Sequence, residues 1–524
     1  MTDTSVDPPR TPRHHAAGAA GAAGTAHPGA RPARGPGPTG TGGTADGAAR
    51  SDAGPSGADL HLDLPATGSR RAALMAALRE AIRSGRLAPG TRLPPYRTLA
   101  ADLGIARNTA ADAYAELVAE GWLTARQGSG TAVADRAEPV AANRARRASR
   151  PARPEHDLRQ GRPDAAAFPR AAWLAAARRA LTAAPNEAFG PGDPQGRREL
   201  REVLADYLAR ARGVRTDPDR IVICSGFAHA LRLLFEGPRA VLPARSTGPL
   251  AVEGYGLAFH HGLLAAAGVA TVPLPLDEDG ARVAALAHHR EVRTVLLTPA
   301  HQFPTGGPLH AGRRAAVVDW ARGRGGLVLE DDYDGEFRYD RQPVGALQGL
   351  DPERVVYLGT AAKSLSPALR LGWMVLPDHL VDRVLAAKGE REGWASALDQ
   401  LTLAEFIDSG GYDRHVRRMR RRYRDRRDRL VGALAEHATH IEVTGIAAGL
   451  HAVLRLAPGT ERSVLKAAAY RGLALDGLAD YRHPRLAAEA MPAVDGLVVG
   501  YATPPEHAYP AAVEALCAIL PPPL

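Results

Sequence analysis

Three apolar, β-type runs in the C-terminal part of this chain each end in an unusual polar cluster. Arg293-Thr-Val-Leu-Leu-Thr298 runs into Pro299-Ala-His-Gln-Phe-Pro-Thr-Gly306, and Gly326-Leu-Val-Leu-Glu330 runs into Asp331-Asp-Tyr-Asp-Gly-Glu-Phe337. Val355-Val-Tyr-Leu-Gly359 runs into Thr360-Ala-Ala-Lys-Ser-Leu-Ser-Pro-Ala-Leu-Arg370. Amphipathic helical stretches alternate with short β-rich runs over residues 157–524, so this region predicts one large α/β domain around a parallel or mixed sheet. Ligands of such sheets bind outside the carboxyl ends of the strands, which makes the polar clusters converge on one site.

The convergent set is a lysine, a carboxylate beside a tyrosine, and an arginine. Pyridoxal 5'-phosphate (PLP) needs that set: a lysine for the Schiff base, an acid to keep the pyridinium nitrogen protonated, a phenol near the ring oxygen and an arginine for the phosphate. Of 66 basic residues only three are lysines, Lys363, Lys388 and Lys466. A guanidinium stays charged and does not serve as an amine nucleophile, so each lysine is a candidate for chemistry that arginine cannot perform. A solvated loop lysine is the competing reading of Lys363, and a magnesium site that of the acids at 330–334. Tyr333 among the acids, and the lack of a Gly-Lys-Ser/Thr phosphate loop, argue against a nucleoside triphosphatase.

The two cysteines, Cys224 and Cys517, are far apart and outside zinc-ligand spacing, which excludes a disulfide scaffold and structural zinc. There is no apolar run of membrane-spanning length, and Met1-Thr-Asp-Thr-Ser5 lacks the basic and apolar regions of a secretory signal. No metal and no membrane partner are expected, and the cytoplasm, in association with the nucleoid, is the expected location.

Residues 1–68 are Ala, Gly, Pro, Thr and Arg with few large apolar residues, a composition that predicts a disordered tail. Residues 69–135 change to helical periodicity, and 136–156 return to Arg, Ala and Pro as a basic linker. Within 69–135, Leu74, Leu78 and Ile82 recur every four residues. A second short helix follows at 94–103, Gly104 breaks it, and a third runs over 107–120. Two short strands flank the Gly-Ser-Gly turn at 128–130. Two helices around a glycine turn predict a helix-turn-helix, here with a wing; an Ala-rich bundle with a hairpin is the alternative. The third helix starts with Arg107, Asn108 and Thr109, suited to base edges, while Arg97, Arg126, Gln127, Gly128 and Gly130 can meet phosphates beside it.

These residues carry a resemblance. Ile82-Arg-Ser-Gly-Arg-Leu-Ala-Pro-Gly-Thr-Arg-Leu-Pro94, Arg97-Thr-Leu-Ala100, Arg107-Asn-Thr109 and Glu120-Gly-Trp-Leu123 resemble the winged helix of GntR-type regulators. Tyr96, Ala106 and Ala110 depart from that pattern. The stretches Thr298 to Gly306, Glu330 to Tyr339, Gly359 to Gly372, His415 to Arg420 and Ala448 to His451 resemble those of a fold-type-I aminotransferase domain. Winged helix, linker and aminotransferase domain, in that order, are the organisation of MocR-type regulators.

The resemblance implies roles. Lys363 would form the internal aldimine of PLP, Asp331 would pair with the pyridinium nitrogen, and Tyr333 would approach the ring hydroxyl. Arg370 would bind the phosphate with the backbone amides of Gly226 and Phe227, Tyr255 would stack on the ring, and Arg482 would clamp a carboxylate. Two departures stand beside these roles: Ala362 where the family favours Ser, and the shortened Glu253-Gly-Tyr255 segment. The implied function is a PLP-dependent regulator, a homodimer that binds promoter DNA at two half-sites and senses PLP or an amino compound through Lys363. An active aminotransferase carrying a DNA-binding domain, and a PLP-free regulator using the domain only for dimerisation, are the alternatives. Residues 414–429 hold ten arginines around a Val416, Met419, Tyr423 and Leu430 stripe, which predicts an amphipathic helix with a solvated basic face; a dimer contact or an extra DNA contact is the alternative.

Overall fold

Apolar spacing and glycine punctuation build the N-terminal part as expected. Leu74, Leu78 and Ile82 are buried along one stripe of the helix Arg70–Arg83, whose start is capped by Ser69 accepting from the Ala72 amide at 3.4 Å. The helices Tyr96–Asp102 and Arg107–Ala119 flank a turn in which Gly104 takes φ 60°, a conformation costly for residues with a Cβ. The strands Leu123–Arg126 and Gly130–Val133 pair antiparallel as the wing, with Leu123 opposite Val133. Leu99, Ala113, Tyr114 and Leu117 complete this core.

The structure is a computed structural model that describes residues 62, 64, 68–126, 130–135, 154–190, 192–339, 344–389 and 395–522. Most of the expected tail and linker, and both Gln127 and Gly128, lie outside the described residues. Two residues assigned to the tail behave otherwise: Leu62 is buried in the three-helix core and Leu64 packs on it. At the other end of the linker, His156–Asp157 is a short strand parallel to Leu473–Ala474. The chain divides into two compact units at residue 150.

The second unit is built on a seven-stranded sheet. Its order is Ile221–Cys224, Gly372–Val375, Val355–Thr360, Leu327–Asp332, Thr294–Leu297, Leu250–Glu253 and Thr271–Leu274. Only Gly372–Val375 runs against the others. Side chains alternate between two buried faces: Val295, Leu297 and Val328 enter one core, and Leu329, Val356 and Leu358 another. A sheet covered on both faces accounts for strands that read as continuous apolar runs. A smaller antiparallel sheet, ordered Val443–Thr444, Ala452–Arg455, Gly496–Val499 and Asp476–Gly477, has its own core. The sequence reading of one sheet in this region missed that division. Met419, Tyr423, Leu430 and Leu434 of the long helix Gly411–His437 pack into that core, so the predicted apolar stripe is buried.

Candidate functional site

Because six of the seven strands point the same way, their carboxyl ends open on one side, and there lies a cavity of about 200 Å³. Its lining comes from the ends of five strands and the turns after them: Gly226 and Phe227, Tyr255, Thr298, Asp331 and Tyr333, and Lys363, with Arg370 entering just before the antiparallel strand. Residues dispersed over some 150 positions are thus brought together by strand direction alone.

Lys363 sits in the turn after Val355–Thr360 and donates from Nζ to the Gly161 carbonyl at 2.6 Å. Burial lowers its pKa, while Asp334 and Asp331 oppose that shift in part. Desolvation of this kind favours the neutral, nucleophilic amine. Asp331 lines the cavity, its carboxyl receives no hydrogen bond from any described residue, and burial beside Asp332 pushes that carboxyl well above the usual range. A buried acid without a partner fits a ligand that brings a cationic N–H, because the shared proton removes the cost of burying the charge.

Tyr333 is held from behind. Its hydroxyl lies 3.0 Å from His301 Nδ1, which is 2.9 Å from Asp334 Oδ2; of the three, Tyr333 alone lines the cavity. Arg370 follows the short turn Pro367–Leu369 with φ 53°, the sole positive φ outside glycine among the described residues. That conformation costs an arginine roughly 1–2 kcal/mol and puts its side chain in the cavity lining. Gly226, φ 99°, opens the helix Phe227–Phe235, whose first amides have no intrahelical acceptor and suit an anion. Glycine is also required across from it: a Cβ on Gly372 would lie 2.7 Å from the Gly226 Cα.

Of two further expected residues, Tyr255 lines the cavity and Arg482 does not. Tyr255 is buried at the cavity wall, with the Arg482 guanidinium 5.9 Å from its ring. Arg482 itself does not line the cavity. Its NH2 donates to the carbonyls of Leu486 at 3.1 Å and Met491 at 2.6 Å, so the guanidinium expected to clamp a carboxylate is occupied by the 486–492 loop.

The cavity also contains groups that the sequence reading missed: Gln160, Ser225, Glu253, His260 and His261. Glu253 ends a strand just as Thr360 does, so the strand-end rule would have found it; the two histidines on the helix Ala258–Ala266 carry no such signal. His260 packs 4.5 Å from the Phe227 ring, and burial lowers it to about 4, which keeps it neutral. Glu253 Oε2 accepts from the Thr298 amide at 3.2 Å and from its hydroxyl, and burial raises the acid from 4.5 to about 7. The folded chain therefore binds this proton more tightly than the unfolded chain. The resulting stabilisation is full below pH 4.5 and is lost as pH rises through 7. Glu253→Gln should lose less stability than the parent between pH 4.5 and 8, by up to about 3 kcal/mol. Denaturant unfolding at a series of pH values measures this, and superimposable profiles would refute it.

On the N-terminal unit, Arg107 and Asn108 are exposed and Thr109 half-buried at the start of the third helix, while Ala110, Ala113 and Leu117 bury its opposite face. Ala106 offers that start no side-chain cap, which leaves the first amides free for a phosphate. Arg97, Arg126 and Gly130 are exposed nearby in the sequence of elements, on the second helix and the wing.

Comparison with known proteins finds matches to both units. The family of bacterial regulatory proteins of the gntR type matches residues 70–133, and the class I and II aminotransferases match residues 157–479. The HTH-type pyridoxine biosynthesis transcriptional regulator PdxR of Corynebacterium glutamicum is 33% identical over 407 residues, covering 77% of this chain and 87% of the relative. The probable rhizopine catabolism regulatory protein MocR of Rhizobium meliloti is 32% identical over 448 residues, covering 81% and 88%. Among solved structures, an archaeal alanine:glyoxylate aminotransferase superposes with a TM-score of 0.62 at 24% identity, over 70% of this chain and 90% of that one. A single mutant of Thermus thermophilus aspartate aminotransferase superposes at 0.57 and 20% identity, over 70% and 91%. The second unit thus has the fold-type-I aminotransferase fold and the first a winged helix-turn-helix. The chain belongs to the MocR-type transcriptional regulators, in which a GntR-family DNA-binding domain is joined to an aminotransferase class I and II domain.

Proposed function

We propose that this protein is a PLP-dependent transcriptional regulator whose winged helix binds promoter DNA and whose aminotransferase-like domain senses PLP, or an amino compound that reacts with it. The observation that carries the reading is the convergence of Lys363, Asp331, Tyr333 and Arg370 on one cavity. PLP, when bound, supplies an aldehyde and an electron-withdrawing ring. Lys363 provides the amine for that aldehyde, Asp331 holds the proton of the ring nitrogen, and Tyr333 meets the ring oxygen. Arg370 and the amides of Gly226 and Phe227 hold the phosphate, without the hydroxyl that a Ser in place of Ala362 would add. The protein acts in the cytoplasm as a homodimer on two half-sites.

An active transaminase is the second reading, favoured by the complete Lys363, Asp331 and Tyr333 set. Against it, no described guanidinium besides Arg370 lines the cavity, so an α-carboxylate finds no clamp there once the phosphate is held. The relationship to PdxR, a regulator of pyridoxine biosynthesis, adds support for PLP itself as a sensed ligand.

The test is the affinity of the full-length protein for its upstream promoter DNA with and without PLP. A regulator shifts its affinity only if the ligand favours one of two conformations, so a reproducible change supports the reading and equal affinities at saturating PLP overturn it. Arg107→Ala should weaken promoter binding by about 1–3 kcal/mol, roughly 5- to 150-fold, and relax its sequence preference. Unchanged affinity in a titration of labelled promoter would remove Arg107 from the interface.

A further inference from the structure

Residues 414–429 contain ten arginines against two aspartates, so this short stretch alone holds nearly the whole formal charge of +9. It lies in the helix Gly411–His437, and eight of its arginines fall into two groups. The first is structural. Arg426 is buried and donates to the carbonyls of Tyr501 at 3.2 Å and Ala502 at 3.1 Å. Arg422 pairs with Asp164 and Glu506, Arg420 donates to the Glu336 carbonyl, and Arg424 to that of Tyr339.

The second group has no such use. Arg414, Arg417 and Arg421 are exposed and make no ion pair or hydrogen bond among the described residues, and Arg418 bonds only His415 Nδ1 at 3.0 Å. At 100° and 1.5 Å per residue these four occupy roughly 100° of arc and about 10 Å of axis. The arrangement works against the helix in two ways. Like charges three and four residues apart, as in Arg414 with Arg418 and Arg417 with Arg421, each cost about 0.2–0.5 kcal/mol. Arg414, in the first turn, also opposes the helix dipole. Helix stability therefore does not explain them, and an external anion would relieve both costs. A shallow groove continues the surface, lined by Arg418, Arg421, Arg422 and Arg429 with Asp425 and Glu506.

We propose that this face of the aminotransferase-like domain is a second DNA-contacting surface, gripping the phosphate backbone without reading sequence. The inference rests on the reading of the protein as a DNA-binding regulator, which supplies the polyanion. Guanidinium groups suit the task because each can meet a phosphate through two parallel N–H donors.

The test uses the full-length protein and random-sequence duplexes of 15 and 60 base pairs, with affinity measured over a range of salt. Converting Arg414, Arg417, Arg418 and Arg421 together to Gln preserves helix propensity. It should lower the slope of log affinity against log salt on the longer duplex by about 0.9 for each phosphate no longer neutralised, hence by roughly 2 to 4. A control in which the exposed Arg282, Arg290, Arg462 and Arg471 become Gln removes the same charge elsewhere and should leave the slope as in the parent. An unchanged slope in the helix variant, or an equal fall in the control, overturns the proposal. Conversion of the helix variant to monomer in sedimentation also overturns it, assigning the face to contact between two copies of this chain. If the parent fails to bind either duplex, the DNA-binding reading fails first and this surface with it; a binding parent with an unaltered variant slope removes only the second surface.

Discussion

The protein is expected to develop a visible absorbance band on addition of PLP, and Lys363→Ala to abolish it. The band requires a covalent bond between the aldehyde and an amine, and Lys363 is the lysine that lines the cavity. Lys388 is buried elsewhere, donating from Nζ to the carbonyls of Ile223 at 2.7 Å and Pro194, and Lys466 is exposed on the helix Glu461–Tyr470. Neither can substitute. Lys363→Arg keeps the charge but cannot form the bond, so it should be as colourless as the alanine variant. Spectra of the three proteins at equal concentration under saturating PLP decide the matter. A band that survives in both variants would exclude Lys363 as the attachment point, and no band in the parent would favour the PLP-free dimerisation reading.

Arg212→Ala is expected to destabilise the aminotransferase-like domain by about 3–5 kcal/mol, the usual effect of removing one partner of a buried ion pair. Arg212 ends the helix Arg198–Arg212 and is 4% exposed at its side chain, facing Asp332 at 2%. Its Nε and NH2 meet the two carboxylate oxygens at 2.6 and 3.0 Å, and NH1 donates to the carbonyls of Gly335 at 3.2 Å and Val344 at 3.1 Å. Tyr357 adds a hydroxyl to the same carboxylate at 2.8 Å. Without the guanidinium, Asp332 is left buried with a charge that, among the described residues, only the Tyr357 hydroxyl meets. Since Asp332 adjoins Asp331, the strand end that forms the cavity loosens with it, and weaker PLP binding should accompany the lost stability. Pairing Arg212→Met with Asp332→Asn removes the uncompensated charge and should recover part of the loss. Urea unfolding of the parent, single and double variants measures both effects, and a single variant within about 1 kcal/mol of the parent would contradict this account.

The elements of this protein follow from short-range rules. Period-four apolar residues and a glycine turn are local features, and they predict the three helices and wing because helix spacing and turn chemistry act within a few residues. The same holds for the strands: an apolar run ending in a polar cluster marks a carboxyl end, and that rule brought Lys363, Asp331, Tyr333 and Arg370 forward together. The buried stripe of the helix Gly411–His437 was equally plain from spacing.

What lay beyond those rules depended on contacts between distant segments. Arg482 looks available in the sequence, but its donors are consumed by carbonyls of the 486–492 loop. Gln160 and His260 reach the cavity from segments about 100 positions apart, with no local pattern to mark either. Leu62 sits in a stretch too polar to promise a core, yet three helices elsewhere leave a surface for it to cover. Sequence by itself determined the elements, their order and the chemistry at the strand ends, because periodicity and turn preference are written in neighbouring residues. Only the tertiary structure decided which charged groups are free to act, because hydrogen-bond donors and buried acids are satisfied or left open by partners that chain order does not bring together.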